Sequence, residues 1–498
     1  MVKTRFAPSP TGELHIGGVR TALFAYLFAK SKGGEFLLRI EDTDRERFVE
    51  GATERIIDSL KWLGIVPDNL DSIMVQSDRL ETYKKHAFDL VRAGKAYICT
   101  CSREKLAEDH EKQIKENKAP KYEGYCRNAD SKLEDLKEGC YTIRMKMPES
   151  GKIVVNDLVR GKVEFDSSLI DDQIILKSDG FPTYHLASII DDHEMEITHV
   201  IRAEEWLSST PKHLVLYEMF GWKAPEFAHL SMILGPDKKK LSKRHGATSV
   251  IDYKNEGYLP EALINFIALL GWNPKDEREI FTLPELEKEF KLGNVNKAAA
   301  VFNVDKLNSI NEHYLRNLNT SELKNLINVQ IQDSQGCHSR PDRESMDPRV
   351  RAKGYPLGPE DDNPGCVDSN LSEGEIALIQ RGGYSTLKEA ADYILKLRKE
   401  PEYEPDLLIF RKSDKEKTRK GLEEAKNKLQ DLVWSSEKLQ SLLETIVSDN
   451  NLTNGDVFWP VRVALSGEEK SPSPVELLVA LGKEESLVRL NKAVELLG

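Results

Sequence analysis

The sequence predicts an α/β nucleotide-binding fold for its first half and an all-α region for its last third. Three observations support this prediction: an opening strand–helix–strand rhythm, a Cys-bearing interruption with short β-like runs, and helical periodicity that dominates beyond Asp252. Strands that alternate with helices are typical of a parallel sheet with crossover helices. The 498 residues suffice for about two to five domains.

The first predicted element is a short strand over 4–7, followed by a Pro- and Gly-rich turn over 8–12. A helix comes next, because apolar residues recur on one helical face: Val19, Ala22, Leu23, Tyr26 and Leu27. The pair Gly33-Gly34 ends this helix, and the apolar run 36–40 is typical of a buried parallel strand. This spacing predicts the opening of a nucleotide-binding fold.

An insertion is predicted to divide this fold. Residues 97–178 form a polar, Cys-bearing stretch with short β-like runs at 141–145 and 152–155. The earlier rhythm then resumes in four runs: 183–191, 199–202, 211–220 and 228–234. We therefore expect a split α/β domain, residues 1–96 and 179–240, that carries an α+β insertion at 97–178.

The remainder of the chain is predicted to be helical. Five stretches have helical periodicity with charged outer faces: 260–270, 283–290, 387–397, 417–446 and 475–497. They predict a helical region over 241–322 and an all-α region over 323–498. Within the latter, 336–366 is rich in Pro, Gly and charge, which predicts a flexible insertion without its own core. It resembles peptides left by in-frame mobile palindromic elements in genes of some intracellular bacteria.

The overall composition excludes several classes of protein. With 71 Lys and Arg against 83 Asp and Glu, the net charge is −12, so any RNA partner must meet local basic patches. No stretch approaches the ~18 apolar residues of a membrane helix, and the start lacks a signal-like apolar run. Six Cys in this length are no disulfide scaffold. We expect a cytoplasmic protein without membrane contact.

Two motifs indicate nucleotide chemistry. His15-Ile16-Gly17-Gly18 lies where the first strand turns into the first helix, and helix N-termini with glycines suit phosphate binding. The second motif, 238–244, has five cations in seven residues, which could meet charge that develops on a leaving pyrophosphate. Each alone is more often a tight turn or a solvated face. The presence of both motifs in one chain indicates nucleotide chemistry much more specifically than either motif alone.

Both motifs, in this order, resemble those of class I aminoacyl-tRNA synthetases, and specifically the bacterial glutamyl type. The resemblance extends to several further segments: 5–12, 38–44, 184–187, 191–193, 200–205 and 458–467. It implies a Rossmann-like catalytic domain, an acceptor-stem-binding insertion at 97–178, a stem-contact region at 241–322 and an anticodon-binding region at 323–498. Relatives of this type are usually monomers.

The resemblance also implies site residues. His15 and Lys243 would be catalytic, with Lys243 steadying the phosphates in the transition state. The ATP-binding positions, for ATP that carries Mg²⁺, would be Pro8, His15, Gly17, Gly18, Lys240, Ser242, Lys243 and Arg244. Catalysis would consist mostly of positioning and charge stabilisation, because glutamate attacks ATP directly.

The glutamate pocket needs cations for carboxylates and an acid for the ammonium group. Arg5 and Arg202 suit the first role and Glu41 the second, and Ala7, Ser9 and Tyr184 also match family positions. An Arg at a strand end is by itself more often structural, so the resemblance carries these assignments. Ser188 departs from relatives that have an Asn there to hold the amino acid.

A cysteine cluster is a candidate zinc site. Cys99, Cys101 and Cys126 are close in sequence, but a set of four Cys or His ligands is incomplete. In some relatives a Tyr completes the site, and Tyr122 fits that spacing. The alternative is a knuckle of thiols that has lost its metal. Any zinc would be structural.

The expected activity is ATP-dependent attachment of L-glutamate to tRNA(Glu) through glutamyl-adenylate. Relatives of this kind activate glutamate only when tRNA is bound, and the resemblance implies the same here. Charging of tRNA(Gln) as well stays open. A paralogue that glutamylates a tRNA base is disfavoured by the long helical tail, and an inactive RNA-binding protein by the intact motifs. The basic run 411–419 either contacts RNA or forms a salt-bridged helix face.

Overall fold

The computed structural model describes residues 1–129, 139–242, 246–335 and 370–498. They form two compact units. The first contains Met1–Tyr253 and Leu263–Val304, and the second contains Lys254–Ala262 and Asp305–Gly498. None of the described helices combines the length and apolar character that a membrane span requires. The predicted flexible insertion 336–366 lies outside the described residues, as do Lys243 and Arg244.

A seven-stranded sheet forms the centre of the first unit. The described strands are β1 Lys3–Phe6, β2 Glu35–Ile40, β3 Met74–Val75, β4 Ala96–Cys99, β5 Thr142–Met145, β6 Lys152–Asp157, β7 Gly161–Asp166, β8 Ile174–Leu176, β9 His199–Ala203, β10 Glu226–Leu230, β11 Ile233–Leu234 and β12 Ala300–Val301. The order of the large sheet is β3-β2-β1-β9-β10-β6-β7, and all neighbours are parallel except the hairpin β6–β7. A smaller antiparallel sheet has the order β4-β5-β8, and β11 pairs with β12.

Two strand predictions differ from the structure. The run 228–234 is two strands, because the chain leaves the large sheet after Leu230 and Ile233 pairs with Ala300 instead. The run 152–155 extends to Asp157, which pairs with Phe227 of β10. The large sheet therefore includes strands from the predicted insertion at 97–178, and the domain boundaries stay predictions.

The helix Ile16–Ser31 is buried on nearly every side. The predicted apolar stripe is at most 7% exposed, and Phe24 and Phe28 on another face are also buried. The ring of Phe24 packs on Phe290, with centroids 5.2 Å apart. The helix is followed by Gly34, where a Cβ would lie 2.1 Å from the carbonyl oxygen of Val2, so the turn into β2 requires glycine. This packing fixes the helix N-terminus beside the end of β1.

α-Helices form most of the remaining regular structure of the described chain. Those before residue 290 are Ile16–Ser31, Ala52–Trp62, Leu80–Arg92, Arg103–Lys115, Tyr184–Glu194, Thr210–Phe220, Val250–Asn255, Pro260–Leu269 and Leu283–Glu289. The later ones are Val304–Arg316, Thr320–Gln335, Glu373–Gln380, Leu387–Arg398, Lys415–Gln430, Ser436–Asp449, Asn454–Ser466 and Pro474–Leu496. From residue 373 onward each helix begins at a side-chain cap: Ser372, Thr386, Asp414, Ser435, Thr453 and Ser473.

Two helical predictions for the second unit were too simple. The stretch 417–446 is two helices, because Ser435 is extended and caps a new helix. The last helix, predicted over 475–497, is interrupted at Gly482, whose φ is 74°. Close packing between helices uses glycine here too, since a Cβ on Gly421 would lie 2.1 Å from the carbonyl oxygen of Asp456.

Candidate active site

A cavity of about 1140 Å³ opens where four neighbouring strands of the large sheet end. Ala7 follows β1, Glu41 follows β2, Arg202 is near the end of β9, and Ser231 follows β10. The carboxyl ends of parallel strands are the usual ligand site of such sheets. Eleven of the predicted residues line this cavity: Arg5, Ala7, Ser9, His15, Gly17, Gly18, Glu41, Tyr184, Arg202, Lys240 and Ser242.

His15 caps the helix that opens onto the cavity. Its Nδ1 accepts the N–H of Gly18 at 3.1 Å, so the proton of the neutral imidazole is on Nε2. The enclosing protein lowers the pKa of His15, and the ammonium group of Lys240 lowers it further. A Cβ on Gly17 would lie 3.0 Å from the His15 ring. The motif thus presents a neutral N–H donor beside a helix N-terminus.

Backbone hydrogen bonds join the first motif to the residues that follow the cationic second motif. The N–H of Ile16 donates to the carbonyl of Thr248 at 2.9 Å, and that of Val250 donates to Leu14 at 2.9 Å. Lys240 also lines the cavity, with its Nζ 2.9 Å from Glu205. Two motifs more than 200 residues apart in sequence therefore meet at one site. The predicted Pro8 is outside the cavity lining, and its carbonyl accepts the N–H of Glu41.

Arg5, predicted to hold a carboxylate, is already paired inside the protein. Its Nε donates to Asp192 at 3.0 Å and its Nη2 to the same carboxylate at 3.5 Å. Among the described residues, its Nη1 makes no hydrogen bond. Arg5 can therefore donate to a ligand, while Asp192 compensates most of its charge.

A buried charge cluster that the sequence did not predict lies behind the cavity. Arg39 is fully buried and bridges Asp192 at 2.6 Å, Glu41 at 2.9 Å and Asp191 at 3.7 Å. With Arg5 and Arg79, which binds Asp191 at 3.0 Å, three cations face three carboxylates. Burial raises the pKa of Glu41 although Arg39 lowers it. The cluster fixes Glu41 at the wall of the cavity.

The second predicted cation, Arg202, differs from Arg5. It is 5% exposed, and its acceptors in the described part of the chain are all neutral: Tyr184 Oη at 2.5 Å, His229 Nε2 at 3.0 Å, Thr210 Oγ1 at 3.0 Å, the Trp206 carbonyl at 3.2 Å and His213 Nδ1 at 3.5 Å. No described carboxylate lies within ion-pair distance of it. Burial lowers the pKa of Arg202. A buried guanidinium without a counter-ion is suited to bind an anion.

The comparisons with known proteins identify the family. Residues 1–309 match the model for the catalytic domain of class I tRNA synthetases (E and Q), and residues 370–494 match an anticodon binding domain. The chain is 42% identical to glutamate–tRNA ligase 2 of Thermoanaerobacter pseudethanolicus, over 99% of this chain and 98% of that protein.

The chain belongs to the glutamate–tRNA ligase family of class I tRNA synthetases.

Further relatives agree with this assignment. A glutamate–tRNA ligase of Carboxydothermus hydrogenoformans is 41% identical, over 98% of this chain and 99% of that protein. The crystal structure of a glutamate tRNA ligase from Elizabethkingia meningosepticum, in complex with its amino acid, is 35% identical, with a TM-score of 0.81 and full coverage of both chains. The predicted fold class, a Rossmann-like synthetase domain followed by an all-α anticodon-binding region, is confirmed.

Ser188, at the position where some relatives of this family have an Asn, contacts the buried charge cluster. Ser188 is buried, and its Oγ accepts from Arg39 Nη2 at 3.3 Å. It is not part of the cavity lining. In this chain Ser188 therefore contacts the charge cluster.

The candidate zinc ligands predicted from the sequence lie close together in the structure. The sulfur atoms of Cys99, Cys101 and Cys126 all lie within 4.8 Å of one another. The hydroxyl of Tyr122 is 3.5 Å from Cys99 Sγ and 3.6 Å from Cys101 Sγ. Burial raises the pKa of Cys99, but hydrogen bonds with Tyr122 and the Cys101 amide, and nearby Arg144, lower it to about 7. Three thiols and a phenol provide four donor atoms, which is the coordination number of structural zinc sites.

Proposed function

We propose that the chain attaches L-glutamate to tRNA(Glu) with ATP, through glutamyl-adenylate. The observation that carries this proposal is Arg202, a buried cation at the cavity wall whose partners among the described residues are all neutral. Glutamate has two carboxylates and one ammonium group, so it brings one net negative charge that Arg202 complements. Glutamine lacks that charge, and would leave the guanidinium uncompensated.

The other cavity residues suit the remaining groups of glutamate. Tyr184 accepts a hydrogen bond from Arg202, which leaves its own O–H to donate to the same carboxylate. The Nη1 group of Arg5 can donate to the second carboxylate, and Glu41 can accept from the ammonium group. Ala7 and Ser9 would then line the pocket by shape and backbone.

ATP would bind at the helix N-terminus on the other side of the cavity. The Nε2–H of His15 and the N–H of Gly17 suit a phosphate, and Lys240 adds charge. By family resemblance Lys243 would stabilise the pyrophosphate as it leaves, with Ser242 and Arg244 beside it. The glutamate α-carboxylate would attack the α-phosphorus, and the tRNA ribose hydroxyl would then take the acyl group. Mg²⁺ would arrive with the phosphates, without an assigned protein ligand.

A structural zinc ion forms part of the proposal. Cys99, Cys101, Cys126 and Tyr122 would hold it, and it would stabilise the local fold without taking part in the reaction. The fourth ligand, a phenol, suits a closed site, because it leaves no position for substrate.

The helical second unit would contact the anticodon of tRNA. In the basic run 411–419, Lys417 pairs with Asp414 and Arg419 with Glu423, so part of it is a salt-bridged face. Arg411 and Lys412 are exposed and pair with no described carboxylate, so they suit phosphate contacts. We propose a cytoplasmic monomer and leave the choice between tRNA(Glu) and tRNA(Gln) to experiment.

The first experiment is to charge purified tRNA(Glu) and tRNA(Gln) with labelled glutamate side by side. Charging of tRNA(Glu) alone would define a discriminating enzyme, and charging of both would require a downstream amidating partner. Charging of neither would contradict the proposal and reopen the paralogue and inactive-protein alternatives.

The role of Arg202 is tested by Arg202→Gln. Loss of a charge-assisted hydrogen bond of about 1.5–3 kcal/mol should raise the KM for glutamate by about 10- to 150-fold, with the KM for ATP little changed. Arg92→Gln is the matched control, because Arg92 forms an exposed ion pair with Asp89. An unchanged KM for glutamate in Arg202→Gln would contradict the assignment.

A further inference from the structure

Behind Arg202 lies a buried pair of residues to which no role has been given. The Nδ1 of His229 is 2.6 Å from Oδ2 of Asp157, and both side chains are fully shielded from solvent. Asp157 ends β6 of the hairpin, and His229 lies in β10 beside β9, which carries Arg202. The pair therefore contacts the cavity only through Arg202 and its neighbours.

The contacts of Asp157 determine the tautomer of His229. An ionised carboxylate only accepts, so Nδ1 of His229 carries the proton and Nε2 presents its lone pair. Arg202 Nε donates to that Nε2 at 3.0 Å. Thr210 Oγ1 is 3.2 Å from the same nitrogen and accepts from Arg202 Nη2 at 3.0 Å. Two neutral acceptors thus hold one edge of the guanidinium.

The electrostatic effect of this arrangement differs from that of a direct ion pair. Asp192 contacts Arg5 directly and compensates its charge. Asp157 is one imidazole ring away from Arg202, and its oxygens also accept the backbone N–H groups of Val159, Arg160 and His229. A carboxylate placed directly on Arg202 would occupy the charge that a substrate carboxylate needs. The imidazole orients the guanidinium and leaves its charge uncompensated.

We propose that Asp157 and His229 are positioning residues for glutamate, which hold Arg202 in the orientation and charge state that bind the substrate carboxylate. The inference rests on the proposed glutamate-charging function and adds the determinants of its amino-acid site. Asp157 and His229 touch neither substrate nor cofactor. Their effect reaches glutamate through Arg202 alone.

Burial and the guanidinium of Arg202 keep His229 neutral. Arg202 faces it from β9 and Asp157 from β6, while Thr210 is uncharged, and Arg160 Nε donates to its carbonyl at 3.4 Å. Burial lowers the pKa of His229 more than the bond to Asp157 raises it, and Arg202 lowers it further. Protonation of Nε2 would remove the acceptor and place a second cation against Arg202.

Asp157→Asn is the test variant, with nearly unchanged shape. An Asn amide donates to Nδ1, which moves the imidazole proton to Nε2 so that it opposes the N–H of Arg202. We expect the KM for glutamate to rise about tenfold, the size of one lost hydrogen bond near 1.4 kcal/mol, with kcat and the KM for ATP within about threefold. Asp89→Asn, at an exposed ion pair, is the control.

His229 supplies a second pair of variants. His229→Leu removes the acceptor and should raise the KM for glutamate similarly, whereas His229→Gln keeps an amide oxygen that can accept and should recover most of the affinity. The ¹⁵N shifts of the histidines, compared between wild type and His229→Gln, should assign the Nδ1–H tautomer to His229. The melting temperature of each variant shows whether it is folded. The tautomer of His229 is measured on the wild-type protein, so that result does not depend on the folding of any variant.

The outcomes separate the two proposals. If the wild type charges tRNA(Glu), and Asp157→Asn and His229→Leu keep its KM for glutamate, the positioning role is wrong and the function stands. An Nε2–H tautomer in the wild type would also overturn it. If the wild type does not charge tRNA(Glu), the proposed function fails and the positioning role fails with it.

Discussion

Replacing Arg39 by Met should destabilise the first unit strongly. Arg39 is fully buried and bridges Asp192 at 2.6 Å, Glu41 at 2.9 Å and Asp191 at 3.7 Å. Without it, Arg5 and Arg79 remain against three buried carboxylates. Removal of one partner from a buried ion pair costs about 3–5 kcal/mol, because the remaining charge stays desolvated. Methionine fills most of the volume, so the loss should be mainly electrostatic.

This free energy predicts a measurable shift in melting temperature. An unfolding entropy of about 2.1 cal/mol/K per residue, over a unit of about 300 residues, converts 3–5 kcal/mol into a decrease of about 5–8 °C. Scanning calorimetry of the full chain at pH 7 would measure it for the transition of the first unit. Arg92→Met, which breaks an exposed ion pair, should shift that transition by about 1.6 °C or less.

The pH dependence provides a sharper test. Burial raises the pKa of Asp192, but Arg5 and Arg39 lower it below its ordinary value of 3.8 in the folded protein. The stability from Asp192 is therefore complete above pH 3.8 and is lost as the pH falls through the lowered value. In Arg39→Met the Asp192 carboxylate loses this cation and can protonate at higher pH, so the deficit should shrink between pH 7 and pH 4.

Two results would refute this reasoning. An unchanged melting temperature at pH 7 would mean that Arg39 adds no net stability to the cluster. An equal deficit at pH 7 and pH 4.5 would mean that the loss comes from packing and not from uncompensated charge. Arg39→Met combined with Glu41→Gln should recover part of the deficit, because Arg39 is the described ion-pair partner of Glu41, whereas Asp192 still pairs with Arg5.

Three other predictions concern zinc, the second motif at 238–244 and the insertion at 336–366. Metal analysis by mass spectrometry should find about one zinc per chain, and Cys101→Ser should lose it and melt earlier; a metal-free wild type of equal stability would contradict the site. Lys243→Ala should abolish adenylate formation and keep tRNA affinity, whereas normal charging would remove its assigned role. Deletion of 336–366 should leave charging within a few fold, and a loss of tRNA binding would show that the segment has been recruited.

The sequence predicted the parts of the site that belong to contiguous motifs. His15, Gly17 and Gly18 form a strand-to-helix turn whose chemistry is local, and the resemblance placed Arg5, Glu41 and Arg202 at strand ends. Their meeting at one cavity follows from parallel strands that end on the same side. The fold class was predictable for the same reason, because hydrophobic periodicity reports local structure.

Contacts between distant residues were not predictable. Arg39 and Glu41 share one face of a strand, which was a usable signal, but no pattern shows that Asp191 and Asp192 meet them. Asp157 and His229 are 72 residues apart and belong to no motif. The break after Gln430 was missed because periodicity continues across it, although Ser435 followed by Glu437 indicates a new helix start.

The strand order also determines when β1 can pair with both of its neighbours during translation. β1 is complete within the first residues of the chain, yet one of its two neighbours in the sheet, β9, begins only at His199. At about 5–20 residues per second, this partner is synthesised roughly 10–40 s after β1. During that time the nascent chain can pair β1 with β2 but leaves the other edge of β1 unpaired, open to strands of other nascent chains. Chaperone demand during translation should therefore fall once β9 and β10 have left the exit tunnel.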